Sequence, residues 1–119
     1  MQVPLENDRR EIKRRHLIFH LRVFDRITNE KLGHIVDISP EGMMLVSEEP
    51  IPVDQNFQLR MHLPNHEDAI EPHDFEARSC WSNNDINPMF YDTGFHVIQA
   101  TSEHIQLVKR LVDDYGFRD

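Results

Sequence analysis

Phe57-Gln58-Leu59-Arg60-Met61-His62-Leu63 carries an apolar side chain on every second residue, with polar ones between. Successive side chains of an extended strand point to opposite faces. A period of two therefore marks a strand with one face on a core and the other in water. Pro64 stops the pattern, and Pro64 to Pro72 reads as a polar, acidic loop. Toward the N-terminus, Glu48-Glu49-Pro50 and Pro52 end a short strand from Met43 to Val46, which follows a turn at Ser39-Pro40-Glu41-Gly42. Another strand spans about Leu32 to Ile38, preceded by a turn at Thr28-Asn29-Glu30. The first strand runs from Leu17 to Asp25, where Phe19, Leu21 and Val23 form one face.

Toward the C-terminus, Phe75, Ala77, Ser79 and Trp81 share one face of a fifth strand. A loop from Ser82 to Pro88 leads to a sixth, around Phe90 to Ile98, in which Asp92 and Gly94 mark a bend or bulge. The period then changes. Ile105, Val108, Leu111, Val112 and Tyr115 recur at spacings of three and four, giving a helix with one apolar stripe. Thr101 or Ser102 caps its start, Glu103 suits the positive end of its dipole, and Gly116 is the stop. Six short strands and a terminal helix predict a mainly β fold: a small antiparallel barrel with the helix over an opening or flank.

The 119 residues make one domain with a single modest core. The hydrophobic share of 39% is too high for a disordered chain. No apolar run approaches the roughly 20 residues that span a bilayer, so no membrane insertion is expected. The start MQVPLENDRR lacks the apolar stretch of a secretory signal, and the lone Cys80 forms no internal disulfide. Both point to a cytoplasmic protein. Cys80 itself reads as a small, half-buried strand residue.

Charge is unevenly placed. The net formal charge is -8, yet residues 1–26 hold seven Lys and Arg against four Asp and Glu. Much of this lies in Arg9-Arg10-Glu11-Ile12-Lys13-Arg14-Arg15, where five of seven residues are basic. Cations crowded together repel one another, so the cluster calls for an anion. The acidic remainder argues against a general DNA or RNA binder, whose affinity rests on many phosphate contacts.

Arg10 and Arg14 have the spacing R-x-x-x-R, just before the first strand. Asp37-Ile38-Ser39-Pro40-Glu41-Gly42 has the spacing D-x-S-x-x-G, at the end of the second. Either alone is a weak signal; both, in this order and separated by one strand-turn-strand segment, are a strong one. The pair resembles the PilZ family of bacterial cyclic di-GMP receptors. Met43-Met44-Leu45 after the glycine, Gly94-Phe95 in the late strand and the terminal helix extend the resemblance over most of the chain.

The resemblance implies a six-stranded antiparallel PilZ-type β-barrel with a C-terminal helix and a flexible basic N-terminal arm. The expected division is an arm at 1–15, the barrel at 16–100, and the helix and tail at 101–119. It also implies that Arg10 and Arg14 hold the ligand. Guanidinium is planar and permanently charged, donates two parallel hydrogen bonds to a phosphate, and matches O6 and N7 on a guanine edge. Asp37 is expected to accept from guanine N1–H and N2–H, and Ser39 to offer a hydroxyl. Gly42 allows a tight turn or close ligand approach. In the family an arginine directly before the first motif arginine accompanies a stacked pair of ligands, so Arg9 predicts two cyclic di-GMP per protomer. Arg15 and Lys13 add charge without a motif position. No cofactor is implied, and output is expected through a protein partner, with the receptor a monomer or weak dimer.

Plainer readings compete at several residues. Asp37 and Ser39 can shape a turn through their own backbone. Trp81 reads as barrel core or rim, and Met89, Phe90, Tyr91 and Phe95 as packing. His16 with His20, and His62 with His66, have a spacing that suits a metal only on a helix, and they fall in strand-like sequence, so no metal is expected. His34 and His96 read as strand residues with one wet side. No Gly-rich phosphate loop or G-x-S-x-G elbow is present, and the protein is not expected to be an enzyme. Two alternative functions are an adaptor of the same fold that binds no nucleotide, and a basic arm that binds nucleic acid.

Overall fold

The alternation read around Phe57 to Leu63 becomes real packing in the computed structural model, which describes residues 15–64 and 70–115. The strands are β1 Arg15–Asp25, β2 Lys31–Ser39, β3 Gly42–Ser47, β4 Asn56–Pro64, β5 Ile70–Asn84 and β6 Tyr91–Val97, followed by the helix α1 Ser102–Tyr115. All neighbours are antiparallel, and the order β1-β2-β3-β6-β5-β4 closes into a barrel. Leu59, Met61 and Leu63 of β4 are buried, while Gln58 is exposed and Arg60 and His62 are half-buried. They join Leu21, Val23, Ile35, Ile38, Met43, Leu45, Phe75, Ala77, Phe95 and Val97 in one core.

The turns follow from their residues. At 25–30, Asp25 Oδ1 accepts from the N–H of Ile27 at 2.8 Å, and Asn29 adopts φ 65°. Asparagine tolerates that left-handed conformation better than most residues.

The expected boundaries need three corrections. β1 begins at Arg15, so the residue assigned to the end of the arm belongs to the barrel. β5 begins at Ile70, inside the stretch read as a loop to Pro72, and runs past Trp81 to Asn84. Its pairing with β4 continues from Asn56↔Arg78 to Pro64↔Ile70. Pro72 is tolerated there because β6 joins β5 only from Ala77 onward, so proline sits where β5 has one neighbour. Third, β6 pairs with β3 in unbroken register from Gly42↔His96 to Ser47↔Tyr91, so Asp92 and Gly94 mark no bulge in β6.

The helix starts as capping chemistry dictates: Thr101 Oγ1 accepts the N–H of His104 at 3.1 Å. Its buried face is His104, Leu107, Val108 and Leu111, with Ile105 and Val112 at the margin. The stripe is thus turned slightly from the one expected, because a histidine points inward. His104, only 4% exposed, has Nδ1 3.0 Å from Nε2 of His73 on β5. The two rings lie 5.1 Å apart, with Phe75 5.3 Å from His104. Gly116 lies outside the described residues. Among the described residues no helix is long and apolar enough to cross a membrane, and no three His, Cys, Asp or Glu side chains converge as a metal site.

Candidate functional site

Ser39-Pro40-Glu41-Gly42 closes the β2–β3 hairpin, with Ser39 paired to Gly42 and Pro40-Glu41 as the turn. The proline ring fixes φ near about -65°, which suits the first turn position. Neither Glu41 nor Gly42 has a positive φ. Gly42 is therefore not needed for a left-handed turn; it is buried where the chain passes β6 opposite His96. The carbonyl of Glu41 accepts the N–H of Val97 at 2.8 Å, tying the turn to β6.

A β-bulge aims the motif's side chains. Ile35 pairs with Leu45, and Asp37 with Met44, leaving Val36 as an extra residue in β2. Ile35 and Ile38, three apart, both face the core against Leu45 and Met43. Asp37 and Ser39 consequently stand together on the outer face of the sheet. They are nonetheless only 8% and 9% exposed.

A second bulge shapes the neighbouring wall. Ser79 pairs with Phe95 and Trp81 with Gly94, so Cys80 is the extra residue of β5. Were Cys80 paired in regular alternation, with no bulge, Trp81 would share the inward face of Ala77 and Ser79, as the sequence pattern predicts. With the bulge, Trp81 turns outward and is 37% exposed. Its indole lies on Gly94, where a β-carbon would overlap the ring. Cys80, read as half-buried, is exposed for the same reason.

Between the hairpin and this wall is an open groove of about 350 Å³, lined by Ser39, Glu41, Gly42, Cys80, Trp81, Gly94, Phe95 and His96. Asp37 lies two residues from Ser39 on the same face. The groove offers a carboxylate, a hydroxyl, an imidazole and an aromatic plane, the groups that read a flat heterocycle. None of the described residues that line it is Lys or Arg, so neutralising a phosphate would need cations from elsewhere.

Arg9, Arg10 and Arg14 lie outside the described residues. Where their segment enters the barrel is described: Arg15 pairs with Ile38, and His16 with Asp37. The chain therefore enters β1 beside the D-x-S-x-x-G hairpin. Trp81 and Cys80 as groove residues were not legible, since their placement depends on the bulge and on pairing with β6. His96, expected to have one wet side, is exposed and lines the groove.

The model of the PilZ domain family matches residues 8–114. No curated protein matches the chain. Among solved structures, Bacillus subtilis inhibitor of motility (MotI/DgrA) superposes with a TM-score of 0.70 at 16% identity, over 89% of this chain and 50% of that one. Escherichia coli YcgR in complex with c-di-GMP gives 0.69 at 16% identity, over 89% and 45%. The PilZ domain of Escherichia coli YcgR with c-di-GMP gives 0.65 at 14% identity, over 90% and 91%. The chain thus spans about half the length of the first two. At such identities the likeness is one of fold.

Proposed function

The chain belongs to the PilZ domain family, and from that premise we propose that it is a cyclic di-GMP receptor that signals through a protein partner. The observation that carries the reading is the register Arg15↔Ile38 and His16↔Asp37. It fixes the root of the R-x-x-x-R segment beside the outward-facing Asp37 and Ser39. Consecutive Cα atoms are about 3.8 Å apart, so covalent connection alone limits how far Arg14 can lie from Arg15. Arg10, five residues before Arg15, is within about 18 Å of it even if fully extended.

In this reading the two halves of the site are complementary. Arg10 and Arg14 supply the phosphate and guanine-edge contacts that the groove's own lining lacks. Asp37 accepts from guanine N1–H and N2–H, Ser39 adds a hydroxyl, and buried Gly42 keeps the floor free of a side chain. Trp81 supplies a plane for base stacking. Arg9 would hold the second ligand of a stacked pair. Closing the arm over the ligand costs ordering entropy, which the charge-assisted bonds must exceed. A cytoplasmic receptor, monomeric or weakly dimeric, goes with this reading, because its ligand is an intracellular messenger.

Calorimetric titration of the full chain with cyclic di-GMP tests it. Binding at two ligands per chain, lost in Arg10→Ala and Arg14→Ala with melting temperature unchanged, is the expected result. A wild-type chain that releases no heat and shows no thermal shift would defeat the reading. A stoichiometry of one would remove only the role given to Arg9.

A further inference from the structure

At the end of β2 and β3 away from the Ser39–Gly42 hairpin, the β5–β6 connection projects two large apolar side chains into water. Ile86 is 100% exposed and Met89 73%. The segment that carries them is held in shape: the N–H of Asp85 donates to the carbonyl of Phe90, and that of Phe90 to the carbonyl of Asn87, each at 3.0 Å. The N–H of Met89 donates to Asn87 Oδ1, also at 3.0 Å. Burial of apolar surface drives folding, so a hydrogen-bonded turn that keeps two such side chains in solvent gains the barrel nothing. Scattered apolar side chains are ordinary on a surface, but two on one hydrogen-bonded turn make a patch of the kind that contacts use.

The register Ser47↔Tyr91 brings this turn beside Glu48 and Glu49. Phe90 then lines a groove of about 390 Å³ together with Leu32, Ile51, Glu30, Glu48 and Glu49. One cation, Lys31, stands against the three glutamates among its described lining residues. Asp85 and Asp92 add further acid nearby. Burial first, and then the neighbouring Asp85, push the Asp92 carboxyl upward.

We infer that this face, the Ile86–Met89 turn with its acidic groove, docks a protein segment that is both apolar and cationic. The apolar residues of that segment would cover Ile86 and Met89, and its Lys or Arg would pair with Glu30, Glu48 and Glu49. Apolar anchors give such a contact its affinity, and opposite charge steers the encounter and rejects acidic segments. This surface is separate from the nucleotide groove, so the inference stands whether or not the chain binds cyclic di-GMP.

The test is an amide-shift titration of the full chain with a synthetic amphipathic Leu/Lys peptide, its Leu/Glu counterpart and oligolysine. Shifts concentrated at the amides of residues 30, 48, 49, 51, 85–87, 89 and 90 are expected with the Leu/Lys peptide alone. Ile86→Ser with Met89→Ser should weaken its binding by about tenfold or more, as truncating contact anchors does. Glu48→Gln with Glu49→Gln should reduce its salt dependence. Unchanged melting temperatures would show that these exposed sites leave the fold intact. Shifts scattered over other faces, equal binding of oligolysine, or wild-type affinity in the serine variant would overturn the inference. So would movement of the same amides on neutralising Arg9, Arg10 and Arg14 without peptide, because the chain's own arm would then be the occupant.

Discussion

The indole of Trp81 fills the space into which a β-carbon on Gly94 would project. Gly94→Ala must therefore displace the ring, and because Trp81 already has one open side, it should swing into solvent. Trp81 is the only tryptophan of the chain, so its emission reports this directly. We expect a red-shifted maximum and a stability loss of about 1–2 kcal/mol, the usual scale for overpacking. Unaltered emission and melting would mean that the ring does not depend on the glycine.

The His73–His104 pair predicts a pH dependence of stability. Burial, and then its neighbour His73, lower the pKa of His104 to about 4. Burial also lowers that of His73, partly offset by the carboxylates of Glu103 and Asp74. Unfolded, each histidine titrates near about 6.5. The unfolded chain therefore binds more protons between these values, and stability must rise with pH in that window. It is fully present above about 6.5 and is lost as pH falls toward about 4, by an amount on the order of 3 kcal/mol. Urea titrations at several pH values should show this slope, and His104→Leu should remove most of it.

Asp37 is predicted to carry base discrimination. Asp37→Ala should bring the affinities for cyclic di-GMP and cyclic di-AMP closer together by about 1–3 kcal/mol, the worth of one bidentate base contact. Competition titrations measure this. An undiminished preference for guanine would transfer that role to another residue.

Cys80 is the only cysteine, and it is exposed on the groove wall. A thiol reagent should modify it readily in the free protein and several-fold more slowly with cyclic di-GMP bound. Equal rates would place the ligand away from this wall.

The strands were legible because each carries a local, repeating signal. Leu59, Met61 and Leu63 face inward because they fall on every second residue of a regular strand. The helix was legible in the same way, except that a polar His104 occupies part of its buried face. The start of β5 was hidden because Ile70 to Asp74 is rich in charge and contains Pro72, and only its pairing with β4 makes it a strand. The hairpin side of the candidate groove was readable since Ser39 and Gly42, which line it, are close in sequence. The wall side was not. Nothing near Trp81 says that Cys80 will be unpaired, since that depends on a partner strand more than ten residues away.

Those two unpaired residues, Val36 and Cys80, make the site a matter of parity. Were either residue kept but taken into regular pairing, the strand would keep every motif letter and still form a barrel strand. Past that point, however, odd and even positions would trade places. Asp37 and Ser39, or Trp81, would then be delivered to the core and a hydrophobic neighbour to the groove. A change that abolishes a bulge while keeping its extra residue should therefore turn these side chains away from the groove. In this barrel, which residue is left out of the pairing shapes the groove as much as which residues line it.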